Sequence, residues 1–257
     1  FEGDEHLAIA YGMGITAERV AEKWSVSREQ QDTFAVRSHE RALAAIEQSE
    51  FESEILPFTV KTKVPSADGA GIEITEQVVS KDEGPRASTL STLSRLRPVF
   101  SARGSVTAAN TSQMSDGAGA LLLASEEALS DFDCQPLARC RGFSVAGVAP
   151  EIMGIGPVEA IPQCLRQVGL NIEDMDWIEL NEAFAAQSLA VVHTLGLDEE
   201  KVNPLGGAIA LGHPLGATGA IRAATLCHAL RRHELKYGLV SMCIGTGMGA
   251  CGIFEAV

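Results

Sequence analysis

The sequence predicts a layered α/β fold, on three observations. Apolar runs of strand length alternate with helix-period segments through the second half of the chain. Glycine clusters stand where a strand passes into a helix or folds back on another strand. The 257 residues are 46% hydrophobic, which is enough to bury a sizeable core in one large domain or two smaller ones.

Taking the elements in order, Ser27-Arg28-Glu29-Gln30 is a capping-box pattern, and Phe34, Ala35, Ala42, Leu43 and Ile46 recur at helical spacing. A long helix to about Gln48 is expected. From Glu54 to Val79 the pattern changes to short β-rich runs, Ile55 to Val60 and Ile72 to Ile74, broken by Pro65 and Asp68-Gly69. That stretch reads as an excursion from the core. Residues 80 to 114 are rich in Ser, Thr, Arg, Gly and Pro, the signature of a long ordered loop region around one short helix, and such loops carry function. Ala118 to Leu123 is a continuous apolar run suited to a strand buried on both faces. Further strands are expected at Pro136 to Val148, Trp177 to Leu180, Gly238 to Ile244 and Cys251 to Glu255, with helices at Val158 to Val168, Ala183 to Leu195 and Ala217 to Arg232.

Composition excludes several classes. Lys+Arg number 20 against Asp+Glu 34, a net charge of −14 spread evenly along the chain, which argues against a nucleic-acid partner. Runs such as Ala118 to Ala124 and Leu239 to Ile244 fall far short of the roughly 20 residues that span a bilayer, so no membrane span is expected. The six cysteines are scattered without a C-x-x-C pair, which favours a reducing compartment. The chain opens Phe1-Glu2-Gly3-Asp4, with neither an initiator Met nor a basic and apolar leader, and a lost true start is the expectation.

Three segments carry candidate chemistry. Asn203 to Gly219 packs five glycines and two prolines around His213 just ahead of a helix. Glycines let backbone approach a ligand, and His213 titrates in the range useful for proton transfer; the plain alternative is a turn with a surface histidine. Met242 to Ala250 formally contains G-x-G-x-x-A, but a dinucleotide fingerprint needs a following helix and only seven residues remain, so strand, glycine turn, strand is the reading. Cys243 at the end of the first of those strands is either a buried structural thiol or a reactive one. Asn181, where the Trp177 strand passes into a helix, is on its own terms a helix cap. The other histidines (6, 39, 193, 228 and 233) lack metal-ligand spacing, and no metal is expected. A G-x-S-x-G elbow, which an α/β hydrolase would want, is missing.

Taken together and in order, Asn181-Glu182-Ala183-Phe184-Ala185, Gly212-His213-Pro214-Leu215-Gly216-Ala217-Thr218-Gly219 and Cys243-Ile244-Gly245-Thr246-Gly247-Met248-Gly249 resemble the C-terminal half of a thiolase. Upstream, Met13 to Glu18, Ser27 to Asp32, Asp82 to Arg86, Leu96 to Phe100 and Ser115 to Ala118 also resemble thiolase segments. Asn203 to Gly207 and Cys243 to Gly247 are more similar to the degradative 3-ketoacyl-CoA branch than to the biosynthetic acetoacetyl-CoA branch.

The resemblance implies a thiolase-like layered αβα fold made of the C-terminal half plus most of the loop domain. Residues 1–114 would be the remainder of the loop domain, 115–135 the last strand and helix of the N-terminal domain, and 136–257 the complete C-terminal domain. The half that carries the nucleophilic cysteine is absent, and a chain so divided would leave an apolar face uncovered. The implied activity is acyl transfer between a cysteine thiolate and coenzyme A, coupled to cleavage or formation of the Cα–Cβ bond of a 3-ketoacyl thioester. In that scheme His213 activates the nucleophile and helps hold the thioester oxygen, Asn181 orients a water beside it, Cys243 moves the α-carbon proton at a modest pKa, and the Gly245 N–H contributes to a second oxyanion hole. Arg86 and Ser112 would contact the nucleotide and pantetheine of coenzyme A, with Phe100 and Met153 lining the slot. Coenzyme A is implied as a substrate, with no tightly bound cofactor. Implied partners are acyl-CoA, coenzyme A, the missing N-terminal half and a second or fourth copy in a homodimer or homotetramer. The bacterial cytoplasm leads as compartment, with peroxisome and mitochondrial matrix as alternatives. A nucleophile-less acyl-CoA-binding remnant is the competing class.

Overall fold

A computed structural model describes residues 12–67, 69 and 71–257. The readings placed on Phe1 to Asp4, His6 and Asp68 lie outside the described residues.

Two helices open the fold, α1 (Met13–Lys23) and α2 (Arg28–Glu47). The capping box at the start of α2 forms as the sequence predicts: the Gln30 N–H donates to Ser27 Oγ at 3.2 Å, and the Ser27 N–H donates to Gln30 Oε1 at 2.8 Å. Val20 of α1 and Phe34 and Ala35 of α2 enter a common apolar cluster with Leu189 and Ala190 of α6 (Ala185–Leu195). The excursion is a regular antiparallel hairpin of β1 (Phe58–Pro65) and β2 (Ile72–Val79), with Phe58 opposite Val79. Ile55 to Pro57 lie ahead of the strand, and the hairpin is exposed along nearly its whole length. The loop region follows with its one short helix, α3 (Leu90–Leu93).

The expected strand at Ala118 to Leu123 does not form. The segment joins no ladder, Leu122 is 92% exposed, and the chain runs on into α4 (Glu126–Asp131). An apolar run becomes a strand only where a neighbouring strand offers hydrogen bonds, and here it lies along a helix start instead: a Cβ on Gly119 would meet the Ile221 side chain at 2.8 Å.

The C-terminal domain is a four-stranded sheet in the order β3-β6-β5-β4, from β3 (Ala138–Gly147), β4 (Trp177–Leu180), β5 (Tyr237–Ile244) and β6 (Met248–Ala256). Only β4 and β5 run parallel; the β5–β6 and β6–β3 pairs are antiparallel. Helix α5 (Gly156–Val168) packs across β3, β6 and β5, and α8 (Thr218–Arg232) across β5, β4 and β6. Alternation separates the two layers. Leu239, Cys251 and Ile253 join Ile161, Cys164 and Leu165 of α5, whereas Val240 and Trp177 join Leu226, Ala229 and Leu230 of α8. A four-residue turn of helix, α7 (Ala208–Leu211), precedes the histidine loop. The layered αβα order expected from the sequence is therefore present in this half. All six cysteines are free thiols.

Candidate active site

The parallel pair β4 and β5 sets the site, because both strands point their carboxyl ends the same way, and ligands of open α/β sheets gather at such ends. Leu180 pairs with Ser241, and the ladder extends one residue further through the Asn181 N–H, which donates to Ser241 O at 2.9 Å. Asn181 therefore leaves the end of β4 in a fixed direction, almost wholly buried. Cys243 stands two residues beyond Ser241 on β5, opposite Gly249 of β6.

The Asn181 amide nitrogen lies 3.3 Å from His213 Nε2, so two of the residues singled out from sequence touch directly. The other amide atom, Oδ1, is buried without a hydrogen-bond partner. On the far side of the ring, His213 Nδ1 lies 2.7 Å from the Thr218 hydroxyl, which donates to Pro214 O at 2.9 Å. Burial lowers the His213 pKa, and the positive charge of Arg222 lowers it further, so the ring is neutral at physiological pH. Arg222 is itself buried, against Glu179 Oε2 at 3.3 Å and Gly206 O at 3.2 Å.

The histidine loop is shaped by its glycines and by the loop region. Gly212 has φ +91°, and a Cβ there would strike Ser115 Oγ at 2.2 Å. Gln113 clamps the same turn, donating to Ile209 O and Ala210 O at 3.0 and 2.9 Å, while its own carbonyl accepts from the His213 N–H at 3.3 Å. Behind it, the buried Glu182 carboxylate accepts from Ser38 Oγ at 2.6 Å, Asn203 Nδ2 at 2.8 Å and the Ile209 N–H at 3.2 Å. Those bonds tie α2, the Asn203-Pro204 turn and α7 to the end of β4.

Cys243 departs from the modest pKa expected of it: burial pushes its thiol up to about 12, which keeps it protonated at neutral pH. The Gly245-Thr246-Gly247 turn joins β5 to β6 as strand, glycine turn, strand, and the following helix that a dinucleotide fingerprint needs does not occur. A Cβ on Gly245 would meet nothing within 4 Å, so open space adjoins that turn.

The residues expected along a coenzyme A slot divide. Ser112 donates its N–H to Ala183 O at 3.0 Å, and Phe100 meets Phe184 edge-on with ring centroids 6.1 Å apart, so both sit against the segment that follows Asn181. Met153 is buried in a short 3-10 turn, Pro150–Ile155. Arg86 is exposed, and its N–H reaches His39 Nδ1 at 3.3 Å. Burial and the Arg86 charge bring the His39 pKa down to about 4, which leaves the ring neutral and able to accept that bond. Sequence reasoning missed the parts played by Thr218, Glu182, Asn203 and Gln113. Thr218 stands five residues after His213, at the first residue of the helix that follows the loop, and that spacing was the available signal. Among the described residues no group of His, Cys, Asp and Glu could hold a metal ion, and no helix is long and apolar enough to cross a membrane.

Comparison with known proteins gives consistent matches. Residues 134–256 match the family model of the thiolase C-terminal domain, and residues 5–127 that of the thiolase N-terminal domain. The 3-ketoacyl-CoA thiolase of Bacillus subtilis is 52% identical over 244 residues, covering 95% of this chain and 62% of that protein. The human peroxisomal 3-ketoacyl-CoA thiolase is 51% identical over 245 residues, 95% of this chain and 57% of its own length. Among solved structures, the Bacillus anthracis acetyl-CoA acetyltransferase superposes with TM-score 0.90 at 48% identity, covering 95% of this chain and 60% of that one. Human mitochondrial 3-ketoacyl-CoA thiolase in complex with CoA gives TM-score 0.90 at 44% identity, with 99% and 61% covered. The chain spans about three fifths of the length of the relatives it matches.

Proposed function

The chain belongs to the thiolase family, and on that premise we propose that it supplies the C-terminal domain and most of the loop domain of a 3-ketoacyl-CoA thiolase, which cleaves a 3-ketoacyl-CoA with coenzyme A into acetyl-CoA and a shortened acyl-CoA. The observation that carries this reading is geometric: the Asn181 amide meets His213 Nε2 at 3.3 Å at the carboxyl end of β4, and Cys243 stands near the same end of its parallel neighbour β5. The names of the curated relatives favour cleavage over the biosynthetic acetoacetyl-CoA alternative.

The nucleophilic cysteine lies in the part of the enzyme that this chain does not contain. His213 Nε2 takes the proton from that thiol, and the thiolate adds to the keto carbon of the substrate. The Cα–Cβ bond breaks with its electrons moving to the α-carbon, and the Cys243 thiol protonates that carbon to release acetyl-CoA. The incoming coenzyme A returns a proton to Cys243, its thiolate takes the acyl group from the nucleophile, and the nucleophile leaves as a thiolate that recovers its proton from His213. The Gly245 N–H faces one developing oxyanion; His213, with a water held by Asn181, faces the other. Arg86 and Ser112 hold the coenzyme, and Phe100 and Met153 line its slot.

The domain limits proposed are 1–114 for the loop domain, 115–135 for the end of the N-terminal domain and 136–257 for the C-terminal domain, with assembly as a homodimer or homotetramer. The bacterial cytoplasm is the compartment proposed, on the similarity to the Bacillus subtilis protein. The test is thiolysis of acetoacetyl-CoA and longer 3-ketoacyl-CoA by the complete subunit. His213→Ala is expected to abolish turnover, and Cys243→Ser to lose Claisen exchange more severely than acylation of the nucleophile. Turnover near wild type in either variant overturns the assignment.

A further inference from the structure

Because His213 is neutral, its single ring proton sits on one nitrogen or the other, and only a ring with an unprotonated Nε2 can accept a proton on the side that faces Asn181. The contacts around the ring bear on that choice. The Thr218 hydroxyl has one hydrogen, and Pro214 O, a pure acceptor 2.9 Å away, is positioned to receive it. With its hydrogen so committed, the oxygen meets His213 Nδ1 at 2.7 Å as an acceptor, which calls for a proton on Nδ1. Across the ring, the Asn181 amide nitrogen points a donor at Nε2 from 3.3 Å, which calls for a lone pair there.

We propose that Thr218 is a positioning residue for the thiolase reaction, holding the proton of the His213 ring on Nδ1 so that Nε2 presents its lone pair to the reacting thiol. Thr218 suits the task because it is almost wholly buried at the first residue of α8, where its backbone N–H also donates to Pro214 O, at 2.9 Å. Its β-branched side chain is stiff about χ1, so the hydroxyl is held in one direction. Arg222, one turn further along the same helix, adds a buried positive charge that disfavours a second proton on the ring. The same atoms admit the opposite network, in which Thr218 donates to Nδ1 and a turned Asn181 amide accepts from Nε2–H. A ring in that state can donate but cannot act as base.

The inference rests on His213 being the base of the proposed reaction, and the experiment separates the two. The complete subunit is labelled with 15N at its histidine imidazoles, and the His213 signals are assigned as those lost in His213→Gln. Wild type is expected to show a protonated-type Nδ1 and an unprotonated-type Nε2. In Thr218→Val the proton moves toward Nε2 and kcat for thiolysis falls about 100-fold with KM unchanged, the scale of a lost general base. Thr218→Ser, which restores the hydroxyl, recovers both the ring signature and most of kcat. A protonated Nε2 in wild type overturns the proposal, and this reading needs no variant to fold. So does a Thr218→Ser enzyme as impaired as Thr218→Val, since a restored hydroxyl would then not restore the base. If the wild-type subunit shows no thiolysis, the functional reading fails while the 15N signature still decides what Thr218 does.

Discussion

Glu182 and Leu122 invert the usual expectation for their residue types: the carboxylate is 2% exposed and the leucine 92% exposed. Glu182 can be buried because three donors from α2, α7 and the Asn203 turn converge on it. Leu122 sits in a segment that joins no ladder among the described residues, and its own side chain stands open to solvent. Burial in this molecule therefore follows the partners a position has, and residue type follows only when those partners are present.

The sharpest way to break that comparison is to remove the Glu182 carboxylate. Glu182→Ala leaves the Ser38 hydroxyl and the Ile209 N–H buried without an acceptor and removes one of the two bonds made by Asn203 Nδ2, which keeps Leu180 O at 2.8 Å, at an expected cost of about 3 kcal/mol. Gly207, whose added Cβ would lie 2.0 Å from the Glu182 side chain, marks how closely the loop is drawn onto this group. Urea unfolding of the complete protein is the measurement. A midpoint that hardly moves would show that solvent replaces the three bonds and that the network does not hold the histidine loop.

The same contrast explains what could be read from sequence. The helices around Phe34, Leu165 and Leu226 and the four strands of the C-terminal sheet were legible because their apolar periodicity meets matching faces within this chain. Ala118 to Leu123 carried an equally strong apolar signal and formed no strand, since periodicity reports the need for a partner and not its presence. At the site, His213 was legible as an acid or base candidate in a glycine-rich loop, whereas Asn181 read on its own terms as a helix cap and Cys243 as either a structural or a reactive thiol, and only the family resemblance grouped the three. Glu182 and Gln113 were not legible, because their parts depend on contacts across 27 and 97 residues of sequence that no local pattern records, and Thr218, only five residues from His213, needed the ring contact itself to be noticed.

Leu122 sharpens the comparison from the other side. In the chain alone, Leu122→Ala changes unfolding free energy by no more than about 0.5 kcal/mol, as befits an exposed position. On the proposed division of the chain, the rest of the N-terminal domain would cover the segment in a complete thiolase subunit, and there the same substitution is expected to cost about 2–3 kcal/mol. Equal costs in the two backgrounds would mean that the missing part does not pack on this run.

The smallest effect concerns a second glutamate that has fewer partners than Glu182. Glu54 Oε1 accepts from Thr225 Oγ1 at 2.7 Å, but Oε2 is buried with no hydrogen-bond partner. Burial pushes its pKa up to about 7, with the negative charge of Glu179 adding to the rise and the Thr225 bond, Arg232 and Arg222 opposing it. The folded state thus holds a proton that the unfolded chain has released above its ordinary carboxylate pKa of about 4.5. Between those two values the unfolded state binds fewer protons than the folded one, so stability falls as pH rises from about 4.5 to about 7 and then levels. Partial solvent access reduces the effect to about 1 kcal/mol. Glu54→Gln, which cannot ionise, should flatten this component when urea midpoints are compared at pH 5 and pH 8. If wild type and variant lose the same stability over that interval, Glu54 is as well solvated in the folded chain as in the unfolded one, and the difference between a three-donor and a one-donor carboxylate carries no energetic weight here.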